Sequence, residues 1–244
     1  TAEFPQKIKG YIKTPVVSAA GNEIVFGWAS GAIAQGTTNA ISFSNTTAGT
    51  YDIDFNTMTY EAAPFIKLMF AGSEMTMVDD NNYKIEKEFT KGQVIEVSGI
   101  ANFNEWWIDS DFFQKGTDGK LTFLPVSGKY RITANFERNY FIVEHMNGND
   151  LSALDKDGNA IWVIGWGIGK PTHDNNVNWS PDKGLCMAKI GDKKFQLTFK
   201  PYPVTFNGDG TIANKYDFKF FYQKNWGGEF LGADYVSTQT DMIY

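Results

Sequence analysis

Apolar and polar residues alternate with a period of two along much of this chain. In Tyr130-Arg131-Ile132-Thr133-Ala134-Asn135-Phe136 and Phe218-Lys219-Phe220, every second side chain falls on the same face. This pattern marks a strand half-buried in an antiparallel sheet. Runs rich in β-branched and aromatic residues, bounded by Gly, Asn and Asp clusters, predict strands at 23–28, 50–55, 65–70, 94–99, 121–123, 129–136, 140–144, 161–166, 194–200 and 216–222. No stretch of a dozen residues carries an apolar stripe at helical spacing, so the class is all-β.

An internal repeat organises these strands. Gly36-Thr37, Ile41-Ser42-Phe43 and Gly49-Thr50-Tyr51-Asp52-Ile53 are echoed about 80 residues later by Gly116-Thr117, Leu121-Thr122-Phe123 and Gly128-Lys129-Tyr130-Arg131-Ile132. Each copy runs on from a Phe to a Tyr (Phe55 to Tyr60, Phe136 to Tyr140), which reads as a closing hairpin. A second echo links 65–72 with 160–167, and 92–107 with 215–226, each a strand followed by a Trp-bearing turn. The units this implies are 1–62 (partial), 63–146 and 160–244, with 147–159 as a polar linker and 168–182 as an insertion in the third.

Composition narrows the range of functions. With 244 residues, 42% of them hydrophobic, the chain can bury a proper core as one large or two ordinary domains. Its 22 basic residues against 28 acidic ones give a net charge of −6, and Arg131 and Arg138 are its only arginines. No basic patch able to grip phosphates follows from that, which speaks against nucleic acid as a partner. No apolar run reaches membrane-spanning length, and Thr1-Ala2-Glu3-Phe4-Pro5 lacks an initiator Met and a signal core, so the chain reads as trimmed or processed. The single cysteine, Cys186, sits in the apolar run Leu185-Cys186-Met187-Ala188 and reads as a buried small hydrophobe rather than a nucleophile.

The candidate chemistry lies with the tryptophans. Trp106, Trp107, Trp166, Trp179 and Trp226 fall in or beside stretches rich in Asn, Asp and Gly. An indole stacks on the C–H face of a sugar ring, while amides and carboxylates serve its hydroxyls. The expected platform in the third unit is Trp166, Trp179, Tyr222 and Trp226, with Lys224 and Asn225 as donors. Taken singly, each Trp reads as core packing more readily than as a platform. If 104–107 is extended, one of Trp106 and Trp107 faces inward and the other outward.

Catalysis finds little support in the sequence. Alternation places Glu105, Asp109 and Asp111 on one face, where an acidic, solvent-facing edge explains them, and no partner carboxylate for glycoside hydrolysis is identifiable. His145 and His173 lack metal-ligand spacing. Asp155-Lys156-Asp157-Gly158-Asn159 reads as a turn rather than a calcium loop, and 165–170 as a β-turn rather than a phosphate cradle. No metal, cofactor or catalytic residue is expected.

The opening 161–167, the Trp179 insertion, the strand Tyr216-Asp217-Phe218-Lys219-Phe220, the turn Asn225-Trp226-Gly227 and the Gly-x-Tyr-x-Ile closing strand together resemble the SusE/SusF-type outer-membrane glycan-binding lipoproteins of Bacteroidetes polysaccharide-utilisation systems. The likeness is best over 160–235. The resemblance implies tandem immunoglobulin-like or starch-binding-like antiparallel β-sandwich modules, a cell-surface lipid anchor outside this chain, and non-catalytic polysaccharide or oligosaccharide binding beside an outer-membrane glycan importer. The family's platform of two aromatics and a basic residue maps onto Trp179, Trp226 and Lys224. The rival expectation is a structural spacer or protein-interaction module with its indoles buried. Glycan identity, the number of sites and oligomeric state do not follow from the sequence.

Overall fold

The alternating runs pair as antiparallel strands. The computed structural model describes residues 6–16, 21–45, 53–63, 68–79, 81–100, 102–199, 204–206, 211–213 and 216–230. At its centre is a five-stranded sheet in the order Thr76–Asp79, Asn82–Phe89, Gly128–Asn135, Tyr140–Asn147 and Asp150–Leu151. Register follows the alternation: Ile132 lies opposite Ile85 on one side and Val143 on the other. This row, with Tyr130, Ala134 and Phe141, is buried on one face.

Against that face pack two small sheets. One joins Val94–Ile95, Leu121–Phe123 and Phe113–Lys115; the other joins Val97–Ser98, Met69–Phe70 and Ser73–Glu74. They supply Phe70, Ile95, Phe113, Leu121 and Phe123, all at most 2% exposed, to the same core. The result is a β-sandwich, as the period-two pattern predicts. Phe70 meets Phe89, Phe113 and Phe141 edge-on, the geometry favoured by aromatic quadrupoles.

Asn82–Phe89 is a full strand that hydrophobic alternation alone does not reveal. Its face away from the core carries Lys84 and Glu86, which pair with each other and, through Glu86, with Arg131 on the neighbouring strand at 2.8 Å. Residues 147–159 also differ from expectation. They form no free linker: Asp150–Leu151 extends the sheet, Ser152 and Ala153 are buried, and Leu154–Asp157 makes one helical turn closed by Gly158.

Beyond this point a second sheet, ordered Leu185–Cys186, Trp162–Trp166 and Asp217–Phe221, surrounds its own cluster of Trp162, Val163, Ile164, Ile168, Val177 and Phe221. The N-terminal part has a third, smaller cluster of Phe26, Ile33 and Ile41. The predicted repeat residues 49–52, with strand positions 50–52, 65–67 and 200, lie outside the described residues.

The second and third units do not part cleanly. Ala188 belongs to the core of the first sandwich, and Ile190 packs against it. The Val126 N–H donates to the Lys189 carbonyl at 2.8 Å, and Lys91 Nζ to the Ile190 carbonyl at 2.9 Å. Residues of the third unit therefore pack against the first sandwich, and a cavity lined by both opens between them.

Candidate functional site

The strand Asp217–Phe221 runs into a loop, 222–228, that presents the most exposed tryptophan whose exposure is described. The Tyr222 N–H donates to the Gly228 carbonyl at 2.7 Å and closes the loop at its neck. Gly227 and Gly228 both have positive φ, a conformation an L side chain resists. Gln223 Nε2 donates to the Trp226 carbonyl at 3.1 Å, and the Trp226 N–H to Asn225 Oδ1 at 2.8 Å. The indole leans edge-on against Phe221, centroids 5.8 Å apart, and remains 51% exposed. A fixed backbone thus holds a half-solvated aromatic surface beside the exposed Asn225 and the half-buried Gln223.

The other predicted aromatics are placed differently. Tyr222 packs against Phe230, ring centroids 4.4 Å apart and planes tilted by 57°, and is half-buried. Trp179 packs against the third unit's core, half-buried, on two consecutive left-handed residues, Asn178 and Trp179. Trp166 is half-buried at the end of its strand, opposite Asp217. Trp107 is half-buried, its ring 6.2 Å from that of Tyr140.

Trp106 is a correction. At 5% exposure it lies within the sandwich core, against Phe103, Phe136 and Phe141, and cannot stack on a ligand. Burying a large apolar side chain stabilises by about 1.5–3 kcal/mol, so a neighbouring core captures it. Residues 103–105 form a 3-10 turn rather than extended backbone, so strand alternation does not apply to the Trp106-Trp107 pair, of which Trp106 is buried and Trp107 half-buried. Trp162, in a strand buried almost throughout, is fully buried, and its Nε1–H donates to the Ser152 carbonyl at 3.1 Å.

Lys224 is a second correction. Its Nζ reaches across to Glu144 Oε1 at 2.7 Å and lies 5.4 Å from the Trp162 ring centroid. Glu144 in turn lies 3.8 Å from Arg131. The Lys224 charge thus ends a ladder of alternating signs, Lys84, Glu86, Arg131, Glu144 and Lys224, that crosses the sheet face. It is committed to a carboxylate and is no free sugar donor.

The acidic edge expected at Asp109 and Asp111 is a third correction. Both side chains are at least 95% buried, and Glu105 lies apart from them in a single 3-10 turn. Lys170, 4% exposed, donates to Asp109 Oδ2 at 2.6 Å and to Asp111 Oδ2 at 2.8 Å. Asp111 also accepts from Gln196 Nε2, the Thr198 hydroxyl and the Thr198 N–H. Burial raises the Asp109 carboxyl above the ordinary range, more than Lys170 lowers it. Burial pushes Asp111 the same way, but Lys170 and the Thr198 hydrogen bonds outweigh it and hold that carboxyl low.

A cavity of about 200 Å³ opens between the two units. Its polar lining includes Asp109, Tyr140, Glu144, Lys170, Asn175 and Lys224. Asn175 Nδ2 donates to the Lys170 carbonyl at 2.7 Å and to the Tyr140 hydroxyl at 3.3 Å. Burial pushes the Tyr140 phenol up to about 12, so it remains a protonated donor at neutral pH. Arg138 and Asp174 form an ion pair across the same boundary. Sequence reasoning missed this cavity. The only local hints were two aspartates spaced by one residue and a lysine in a Gly-rich turn.

Cys186 is buried, and that burial pushes its thiol up to about 12, which leaves it without nucleophilic character at neutral pH. Among the described residues no group of three or more His, Cys, Asp or Glu side chains could hold a metal ion, and no helix is long and apolar enough to cross a membrane.

No curated protein and no solved structure matches this chain. Residues 155–243 match a family described as Domain of unknown function (DUF5121). The junction between matches thus falls at the start of the helical turn Leu154–Asp157, and the ion pairs of Lys170 with Asp109 and Asp111 and of Lys224 with Glu144 cross it. Through residues 1–154, the larger part of its length, the chain belongs to the family described as Domain of unknown function (DUF5125).

Proposed function

We propose that this protein binds polysaccharide or oligosaccharide without cleaving it, at a bacterial cell surface, in the manner of the SusE/SusF-type lipoproteins it resembles, anchored by lipid and beside a glycan importer. The observation that carries this reading is Trp226, a half-solvated indole on a glycine-braced loop with Asn225 and Gln223 beside it. Because the backbone is already fixed, little ordering entropy is lost when a sugar ring stacks there. One indole and a few amides supply modest affinity, about −4 to −8 kcal/mol, or millimolar to micromolar. The absence of cleavage is supported by Asp109 and Asp111, whose carboxylates are held by a buried lysine rather than offered to a substrate.

Affinity electrophoresis through gels containing starch, xylan, mannan or pectin tests the proposal. Retardation by one of them, abolished in Trp226→Ala, is the expected result. Retardation by none, or retention unchanged in the variant, overturns it, and release of reducing sugar overturns its non-catalytic part.

One observation favours the rival reading, a rigid spacer or interaction module. The buried cluster of Lys170, Asp109 and Asp111 fixes one domain on the other, as a strut requires. The gel experiment separates the two, because a strut is not retarded by any glycan.

A further inference from the structure

The cavity between the two family domains has the lining of a small-molecule site. Its charged residues balance, with Asp109, Glu144 and Asp182 against Lys170, Lys183 and Lys224. The two inner ammonium groups are already spent: Lys170 bridges Asp109 and Asp111, and Lys224 pairs with Glu144. At the buried end a phosphate or carboxylate would meet no uncommitted cation, and a cation would meet the neutralised Asp109 and Glu144; Asp182 and Lys183 are exposed and of opposite sign. The lining therefore selects against ions and favours a neutral ligand with many hydroxyl groups.

Tyr140 gives a second, independent sign. Its side chain is 93% buried by its 7% exposure, and it lines the cavity. The phenol oxygen accepts from Asn175 Nδ2 at 3.3 Å, while the phenol donates no hydrogen bond to any of the described residues. A protonated, buried donor left without an acceptor loses stability unless something supplies one. A sugar hydroxyl meets that need, and Asn175 and Glu144, which also line the cavity, carry further acceptor oxygens.

Size sets the scale of the ligand. At about 200 Å³ the space falls below the ~300–1,000 Å³ of sites for drug-sized molecules. It equals roughly six or seven waters of bulk liquid, at about 30 Å³ each, which suits one pyranose ring rather than a chain segment.

We propose that this interdomain cavity binds a single neutral monosaccharide, free or at the end of a glycan chain, through Tyr140, Asn175 and Glu144. This goes beyond the Trp226 surface and needs residues of both families, so neither domain carries the site alone.

The test uses the 244-residue chain with D-glucose, D-galactose, D-mannose, D-xylose and N-acetyl-D-glucosamine, each titrated separately and followed by saturation-transfer NMR. At least one should bind with a millimolar Kd. Tyr140→Phe should weaken it roughly three- to tenfold, the effect of one lost hydrogen bond, while Trp226→Ala leaves it within twofold. In 15N-labelled protein the amide shifts should centre on residues 140, 144, 170 and 175, a readout that requires no variant to fold. Binding of none of the five sugars overturns the proposal. So do shifts confined to 222–228, or displacement of the sugar by inorganic phosphate or glycine betaine. Loss of polymer retention in Trp226→Ala bears only on the Trp226 surface, so the two readings fail separately.

Discussion

The ammonium of Lys170 lies 2.8 Å from the carboxylate of Asp111, across the boundary between two domain families, with both side chains almost completely shielded from water. A buried lysine between two aspartates holds the domains in one arrangement, because moving them apart would leave three charges unpaired in a low-dielectric interior.

Lys170→Met removes the only cation of this cluster and leaves Asp109 and Asp111 facing each other. Stripping one partner from a buried ion pair costs about 3–5 kcal/mol. Urea unfolding of the variant should show a loss of that size. A loss below about 1 kcal/mol would mean that the cluster is solvated in solution.

The two aspartates should respond to pH in opposite senses. Asp111 is held low, so its contribution is complete above the unfolded aspartate pKa and fades as pH falls through its folded value. Asp109 is held high, so ionising it costs stability, and that cost is relieved as pH falls through its raised value. At pH 7, Asp111→Asn should therefore destabilise more than Asp109→Asn. The gap should narrow in urea midpoints taken at progressively lower pH toward 3. Equal losses at pH 7 would contradict the assignment.

His145 is buried beside Ser152, their Nδ1 and Oγ 2.7 Å apart, with its ring 4.6 Å from that of Tyr130. Burial lowers its pKa, so on acidification from pH 7 the unfolded chain takes a proton that the folded one refuses. Stability should fall as pH drops through the ordinary histidine value toward the lowered one. In His145→Gln the pH dependence of the thermal midpoint over that window should flatten, and an unaltered slope would place the titration elsewhere.

Lys224→Met distinguishes a structural lysine from a sugar donor. Glu144 would keep only the longer Arg131 contact, at 3.8 Å. An unfolding penalty of about 1–3 kcal/mol is expected for a partly orphaned buried group. Retardation in the glycan gel should persist at temperatures where the variant is folded. Loss of retention with unchanged stability would restore Lys224 to the sugar surface.

Gly165 permits the strands Trp162–Trp166 and Asp217–Phe221 to approach closely. A Cβ built there would overlap the Phe218 Cα and the Asp217 carbonyl oxygen, both backbone atoms. Gly165→Ala should cost more than about 3 kcal/mol, in the range of severe backbone conflicts, and should weaken glycan retention by displacing the strand that leads into the Trp226 loop. Gly10→Ala, where a Cβ meets nothing within 4 Å, is the matched control and should stay within about 0.5 kcal/mol.

Legibility in the sequence followed the range of the interaction. The strands Gly128–Asn135 and Asp217–Phe221 were readable from alternation because burial of one sheet face imposes a period of two on neighbouring residues, whereas Tyr140–Asn147 and Trp162–Trp166 stood out as apolar runs buried almost throughout. Asn82–Phe89 was not: Ile85 and Phe89 are its only buried positions, with Tyr83 packed beside them, and Glu86 obeys a partner on another strand. Trp226 was singled out correctly as lying in a turn, whereas the 3-10 turn leading into Trp106 was not legible. The fate of each indole depended on whether a core lay beside it, which neighbours in sequence do not reveal.

By itself, then, the sequence determined the all-β class and the polar loops around the tryptophans, since both are written in spacings of two to a few residues. Only the tertiary structure decided that Lys170 would seek aspartates 61 and 59 positions away, and that Lys224 would turn to Glu144, 80 positions away. Buried charges take whichever opposite charge the packing of two domains brings within reach, and no local pattern records that choice.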